Sequence, residues 1–283
     1  MDSFDRVAKK ADDERLAIAI NEEMDRNRPK REDFVGIYPD EELDRDDKRV
    51  MGYLSRRGID KAKDRKALRD GILVEKMFLD SELKDSLCEA EIYDELLTDD
   101  EDFLLFVMPS YRYDDVFNNI DLICVVRNEL TNHKVVPFTI DCTSNSSMVE
   151  KKMGYRRTDE KIAGFTDVKY FKDTTSFTGV MPAGKLTKVP RFVVGFDAQL
   201  ARDILTSDRN EWTRDEMEKK SDMTKYYLLK ELAIQSKGGE LEEYFNALLS
   251  HFEKTRGDKI LSYPDDDVLE EILKFKSGEV VNG

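Results

Sequence analysis

Two carboxylates stand at the ends of the most apolar stretches of this chain. Asp121 opens the run IDLICVV and Asp141 closes the run KVVPFTIDCT, twenty residues later. Both runs are short and rich in β-branched and aromatic residues, the composition of strands. Side chains alternate along a strand, so Asp141 points to the face opposite Ile140 and Cys142. If the strands pair as a hairpin around Asn128–Asn132, their polar ends meet at one edge of the sheet. Two carboxylates converging there suit a hard cation such as Mg²⁺ or Mn²⁺, which takes few carboxylates and keeps several waters. Lys151 and Lys152 follow on Ser144–Arg157, a polar segment that reads as a short helix, and either could carry an ammonium back to the same point. The plainer alternative is that both aspartates are strand-end residues bonding local turns; a half-buried carboxylate, however, needs a partner or a metal.

Other chemistries have thinner support. The three cysteines, Cys88, Cys124 and Cys142, are scattered and form no C-x-x-C pair, while His133 and His251 stand in unrelated contexts. This speaks against a disulfide framework, a Cys/His zinc site and a Ser-His-Asp triad. Cys142 reads as a buried structural thiol, since no histidine is near it in sequence. Asp114–Asp115 offers a further ligand or, more simply, a turn before a strand. One basic-leaning interval, with Lys151, Lys152, Arg156, Arg157, Lys161, Lys169 and Lys172, interleaves Tyr155, Phe165, Tyr170 and Phe171. Such a segment could track a phosphate backbone and stack bases, or be a solvated helix and loop.

The two aspartates on consecutive strands resemble the PD-(D/E)xK superfamily of restriction-endonuclease-like nucleases. That resemblance implies an α/β fold with an αβββαβ core over roughly residues 83–205, and metal-dependent phosphodiester hydrolysis in nucleic acid, DNA ahead of RNA. It makes Asp121 and Asp141 the Mg²⁺ ligands, with the Cys142 carbonyl as a third. The family's lysine, two residues after the second carboxylate, is replaced here by Thr143; Lys151 or Lys152 would serve from the following helix. The family's additional acid on the helix before the sheet would be Glu91, which shares the inward face of Leu83 and Leu87. The rival expectation is a non-catalytic scaffold or nucleic-acid-binding protein that keeps this core, favoured by the missing lysine, the acidic flanks and the amphipathic ends.

The elements that must position these residues read as helices, then a strand-rich centre, then helices. Residues 4–26 form a helix with a narrow apolar stripe, suited to one neighbour or another chain. A loop containing the acidic run DEELDRDD follows, then helix from about Asp47 to Arg57 and from about Lys61 to Leu97, broken at Gly71. Phe103–Met108 is the first strand, PSYRYDDVFNN a turn, residues 158–188 an extended loop or strand excursion, and Val189–Phe196 the last strand. Helices follow over 197–205, 213–236, 239–255 and 266–275. These divide the chain into a charged helical region (1–60), a nuclease-like core (61–208) and a C-terminal helical region (209–283).

Across 283 residues the net charge is −15. Residues 134–191 nevertheless carry eleven Lys and Arg against six Asp and Glu, a local charge of +5. The excess acid therefore belongs to the ends, and the centre can face phosphate despite long-range repulsion. No apolar run reaches the length of a spanning helix and the N-terminus lacks a secretory apolar segment, so the expectation is a soluble cytoplasmic protein, with the terminal helices available for a homo-oligomer or partner chain.

Overall fold

The computed structural model describes residues 3–57, 71–80, 104–127, 134–154, 164–172, 181, 183–206, 213–256 and 266–274. In chain order the elements are α1 (Ser3–Asn27), a 3-10 turn (Arg31–Phe34), α2 (Asp40–Arg56), α3 (Ile72–Asp80), β1 (Leu104–Pro109), α4 (Arg112–Asn118), β2 (Leu122–Arg127) and β3 (Val136–Thr143). They continue with α5 (Ser146–Gly154), β4 (Gly164–Phe171), β5 (Gly184–Gly195), α6 (Ala198–Thr206), α7 (Arg214–Gln235), α8 (Glu242–Arg256) and α9 (Asp267–Lys274). The five strands make one mixed sheet in the order β1-β2-β3-β5-β4. β1, β2 and β3 form an antiparallel meander, β5 lies parallel to β3 across the α5 crossover, and β4 is antiparallel to β5 at the edge.

Strand alternation decides which side each helix covers. Leu122, Cys124, Phe138, Ile140, Phe192 and Val194 point to one face, where they join Ile20 and Met24 of α1, Ile72 and Met77 of α3, Leu228 and Leu232 of α7 and Phe245 of α8 in one buried cluster. On the other face Val193 packs with Val149 and Met153 of α5 and with Val268 and Ile272 of α9. The architecture is thus helices on both sides of a mixed sheet. Each fully buried Leu, Ile or Phe stabilises it by about 1.5–3 kcal/mol. Ile20 and Met24 at the C-terminal end of α1, and the apolar residues of α7 and α8 in this cluster, are thus used within the chain.

Where the sheet has open edges, side chains from neighbouring helices close them. Among the described residues β4 pairs with β5 as far as Arg191, and residues 192–195 of β5 have no strand on that side. The Gln235 side-chain amide takes the place of a strand there: its Oε1 accepts from the Val193 N–H at 2.9 Å and its Nε2 donates to the Val193 carbonyl at 2.6 Å. Glu231 Oε2 accepts the Gly195 N–H at 3.2 Å. The ladder between β4 and β5 shifts register after Thr166, and the Asp114 carboxylate accepts the successive β4 N–H groups of Lys169 and Tyr170, both at 2.8 Å.

Two expectations need correction, and a third resolves to the strand alternative over its described residues. The stretch after β1 is a helix, α4, ended by Asn119 in the left-handed region at φ 50°, and not a turn. The acidic run DEELDRDD is the start of α2, since Asp40, Glu41 and Glu42 complement the positive N-terminal end of a helix while Leu43 and Val50 supply its buried side. The interval 158–188 contributes β4 and the first half of β5, and β5 begins five residues before Val189. The break at Gly71 holds: this residue adopts φ 81° immediately before α3. A Cβ there would lie 2.2 Å from the Cys142 carbonyl oxygen, so glycine is what lets α3 start against the end of β3.

Candidate functional site

The β2–β3 register sets Leu122 against Ile140, and one further step brings Asp121 level with Asp141. The Asp121 N–H donates to the Ile140 carbonyl at 2.9 Å, and Asp121 Oδ2 accepts the Cys142 N–H at 2.7 Å. Asp141 is buried, and both its oxygens are held by cations. Lys152 Nζ, on the last turn of α5, lies 2.6 Å from Asp141 Oδ1 and also donates to the Cys142 carbonyl. The Arg191 guanidinium, from β5, donates to Asp141 Oδ2. Arg191 stands level with Thr139 on the parallel strand, two residues before Asp141 and on the same face, so its long side chain runs along the sheet to reach it.

A third carboxylate approaches from the helix before the sheet. Glu75 of α3 is buried and pairs with the equally buried Arg28 at 3.1 Å. Arg28 follows α1, and its guanidinium also reaches Asp115 of α4 at 3.1 Å and the Ser110 carbonyl at 3.0 Å. Burial would lower the Arg28 pKa, but Glu75, Asp115, Asp121 and Asp25 outweigh it and keep the guanidinium charged. Among the described residues the cluster gathers Glu75, Asp115, Asp121 and Asp141 with Arg28, Lys152 and Arg191. Burial pushes the Asp121 carboxyl well above the ordinary range; Lys152 opposes this, and Asp141, Glu75 and Asp115 reinforce it.

Each residue expected from the sequence can now be located. Asp121, Asp141 and Lys152 come together, while Lys151 on the same helix is exposed. Glu91 lies outside the described residues. Asp114 bonds the backbone of β4 and accepts from Asn118 at 2.6 Å, which makes it a structural staple, whereas Asp115 belongs to the Arg28 cluster. Burial pushes the Cys142 thiol up, as expected of a structural cysteine. In the basic interval Lys169 pairs with Glu42 and Asp46 and Lys172 with Asp33, and Tyr170 and Phe171 are fully buried, so these four are committed to internal contacts. Tyr155, Arg156, Arg157 and Lys161 lie outside the described residues. Sequence reasoning missed Glu75 and Arg28. Their signal was a lone acid inside the apolar run ILVEKMF, whose burial demands a cation.

Asp121, Asp141 and the Cys142 carbonyl offer only oxygens, the donors that a hard divalent cation takes, and Lys152 and Arg191 already bond both Asp141 oxygens and that carbonyl. Among the described residues, no three His, Cys, Asp or Glu side chains gather into a metal-holding group. The chain matches no family model, no curated protein and no solved structure. Among the described residues, no helix is long and apolar enough to cross a membrane.

Proposed function

We propose that this chain is a metal-dependent nuclease of restriction-endonuclease-like architecture, hydrolysing phosphodiester bonds in nucleic acid. The observation that carries the reading is the meeting of Asp121, Asp141 and Lys152 at the ends of β2 and β3. A divalent cation held there would add positive charge for a phosphate anion. Support also comes from the element order, in which a helix, a three-stranded meander, a crossover helix and a parallel strand follow one another, with β4 as an edge addition.

In this reading Asp121, Asp141 and the Cys142 carbonyl hold Mg²⁺ or Mn²⁺. Such an ion, when bound, polarises the phosphate and lowers the pKa of a coordinated water. Lys152 takes the role left vacant by Thr143: its ammonium orients the attacking water and stabilises negative charge growing on the phosphate. Glu75 and Arg28 fix the floor of the site, and the Arg28 pair with Asp115 anchors it to α4. The +5 charge of residues 134–191 supplies attraction for the nucleic-acid backbone.

A second reading, a non-catalytic protein on the same core, has one specific observation in its favour. Both oxygens of Asp141 and the Cys142 carbonyl already accept from Lys152 and Arg191, so these groups are satisfied without a metal. Incubation with single- and double-stranded DNA and RNA in Mg²⁺ or Mn²⁺ separates the two. Metal-dependent cleavage by the native chain and none by Asp141→Asn supports the nuclease; intact substrates throughout support the scaffold.

A further inference from the structure

We propose that a pocket on the opposite face of the sheet from Asp141 binds a nucleoside monophosphate whose base carries an exocyclic amino group, with Phe165 stacking the base, Lys188 holding the phosphate and Glu240 accepting from the amino group. The site is separate from the cluster around Asp121 and Asp141 and does not depend on the nuclease reading.

The pocket has a volume of about 300 Å³, the lower end of small-molecule sites, and lies between the β4–β5 ladder and the connection from α7 to α8. Register fixes its side of the sheet. Phe165 of β4 stands level with Pro190 of β5, and residues directly opposite each other share a face. Pro190 and Phe192 alternate with Arg191 and Val193, and Val193 stands level with Asp141 on the neighbouring strand, so Phe165, Pro190 and Phe192 lie on the other face. Phe192 and Leu241 are buried and give the pocket an apolar floor, while Gly238 and Gly239 bring bare backbone to its wall.

Among the described residues, three groups in this lining are left unused by the fold. Phe165 is 56% exposed, and its ring pairs with no other ring. Lys188 adopts the left-handed region at φ 55°, and the fold engages its backbone: the N–H donates to Asp167 Oδ1 at 3.1 Å, while the Asp167 carboxylate pairs with Lys185 at 3.0 Å. The Lys188 ammonium and the Glu240 carboxylate are exposed and make no hydrogen bond or ion pair. An open aromatic ring, a cation and an anion around one small cavity suit a planar molecule that carries both an anionic group and an N–H donor. Lys188 and Glu240 line the same cavity and yet do not pair with each other, so they stand apart. An α-amino acid holds its ammonium and carboxylate on one carbon, and the groups that bind them would be close enough to pair. A nucleotide has its phosphate at one end and its amino group at the other, which matches a cation and an anion set apart, with a ring between them for Phe165.

Calorimetric titration of the full chain in EDTA, with adenosine 5′-monophosphate as the probe, tests this in the absence of any divalent cation. Saturable binding is expected, with adenosine and uridine 5′-monophosphate each severalfold weaker and ribose 5-phosphate weaker still. Phe165→Ala should weaken adenosine 5′-monophosphate about tenfold or more, and Lys188→Gln severalfold. Glu240→Ala should erase the preference for adenosine over uridine 5′-monophosphate. All three side chains are exposed, so melting temperatures close to native should accompany these losses. No binding by the native chain, binding unchanged by Phe165→Ala and Lys188→Gln, or ribose 5-phosphate binding as tightly as the complete nucleotide overturns the proposal, as does binding of L-tryptophan in place of the nucleotide. Because metal is absent throughout, each of these outcomes leaves the nuclease reading as it stands.

Discussion

Asp121 and Arg28 are the residues whose energetics are set most strongly by their surroundings. A raised native pKa means that the folded chain holds the Asp121 proton more tightly than the unfolded chain does. Its contribution to stability is therefore fully present below the ordinary carboxylate range and is lost as pH rises through the native value. Asp121→Asn removes that loss while Asn still accepts the Cys142 N–H, so thermal melts should show the variant gaining on the native chain as pH rises from 4 to 8. Arg28→Met has the opposite sign. It strands Glu75 as a buried charge, and denaturant titration should record a loss of about 3–5 kcal/mol. Of these residues only Asp121 was legible in the sequence, because it stands at the boundary of an apolar strand. Arg28 was hidden: it stands near the start of a polar stretch, NRPKRED, where nothing local separates a buried arginine from a solvated one. Its partners Glu75 and Asp115 lie 47 and 87 residues away in the chain.

At the scale of elements, hydrophobic pattern carried most of the information and edge chemistry carried the remainder. The strands β1, β2, β3 and the second half of β5 could be read because their apolar runs exceed what any turn would contain. β4 stayed one of two alternatives, loop or strand: its first half alternates exposed and partly buried positions, and Asp114, an aspartate from α4, bonds two of its N–H groups. α4 itself looked like a turn because its short sequence, RYDDVFN, is rich in residues that favour turns. Gln235 performs the corresponding closure on β5, and Gln235→Ala should cost about 1–3 kcal/mol in denaturant titration by leaving the buried Val193 N–H without its acceptor. Glu231 is fully buried beside it, and burial pushes its carboxyl well above the usual range, with Asp266 adding to the effect and the Gly195 N–H opposing it. Glu231→Gln keeps the acceptor for that N–H, so the variant should match the native chain at low pH and exceed it in stability above neutrality.

For the molecule as a whole, the sheet, its two helical layers and the charge distribution converge on one place, the ends of β2 and β3. α3 brings Glu75 from one side, α5 brings Lys152 from the other, and β5 brings Arg191 along the sheet. Gly195 holds the same end closed, since a Cβ there would lie 2.6 Å from the Thr143 carbonyl oxygen and 2.6 Å from Val268 Cγ1 of α9. Apart from α4 and β4, the order of described helices and strands was readable in advance, whereas the joining of terminal helices to the central sheet was not, because a stripe suited to a partner chain is equally suited to this one. The central claim is that Asp121, Asp141 and Lys152 act together on a phosphodiester. The rate of Mg²⁺-dependent nucleic-acid cleavage, compared across the native chain, Asp121→Asn, Asp141→Asn, Lys152→Met and Lys151→Met, tests it most directly. Losses of about a hundredfold or more in the first three variants, with Lys151→Met close to native, are the predicted result; absence of cleavage by the native chain, or a rate indifferent to Asp141 and Lys152, would contradict it.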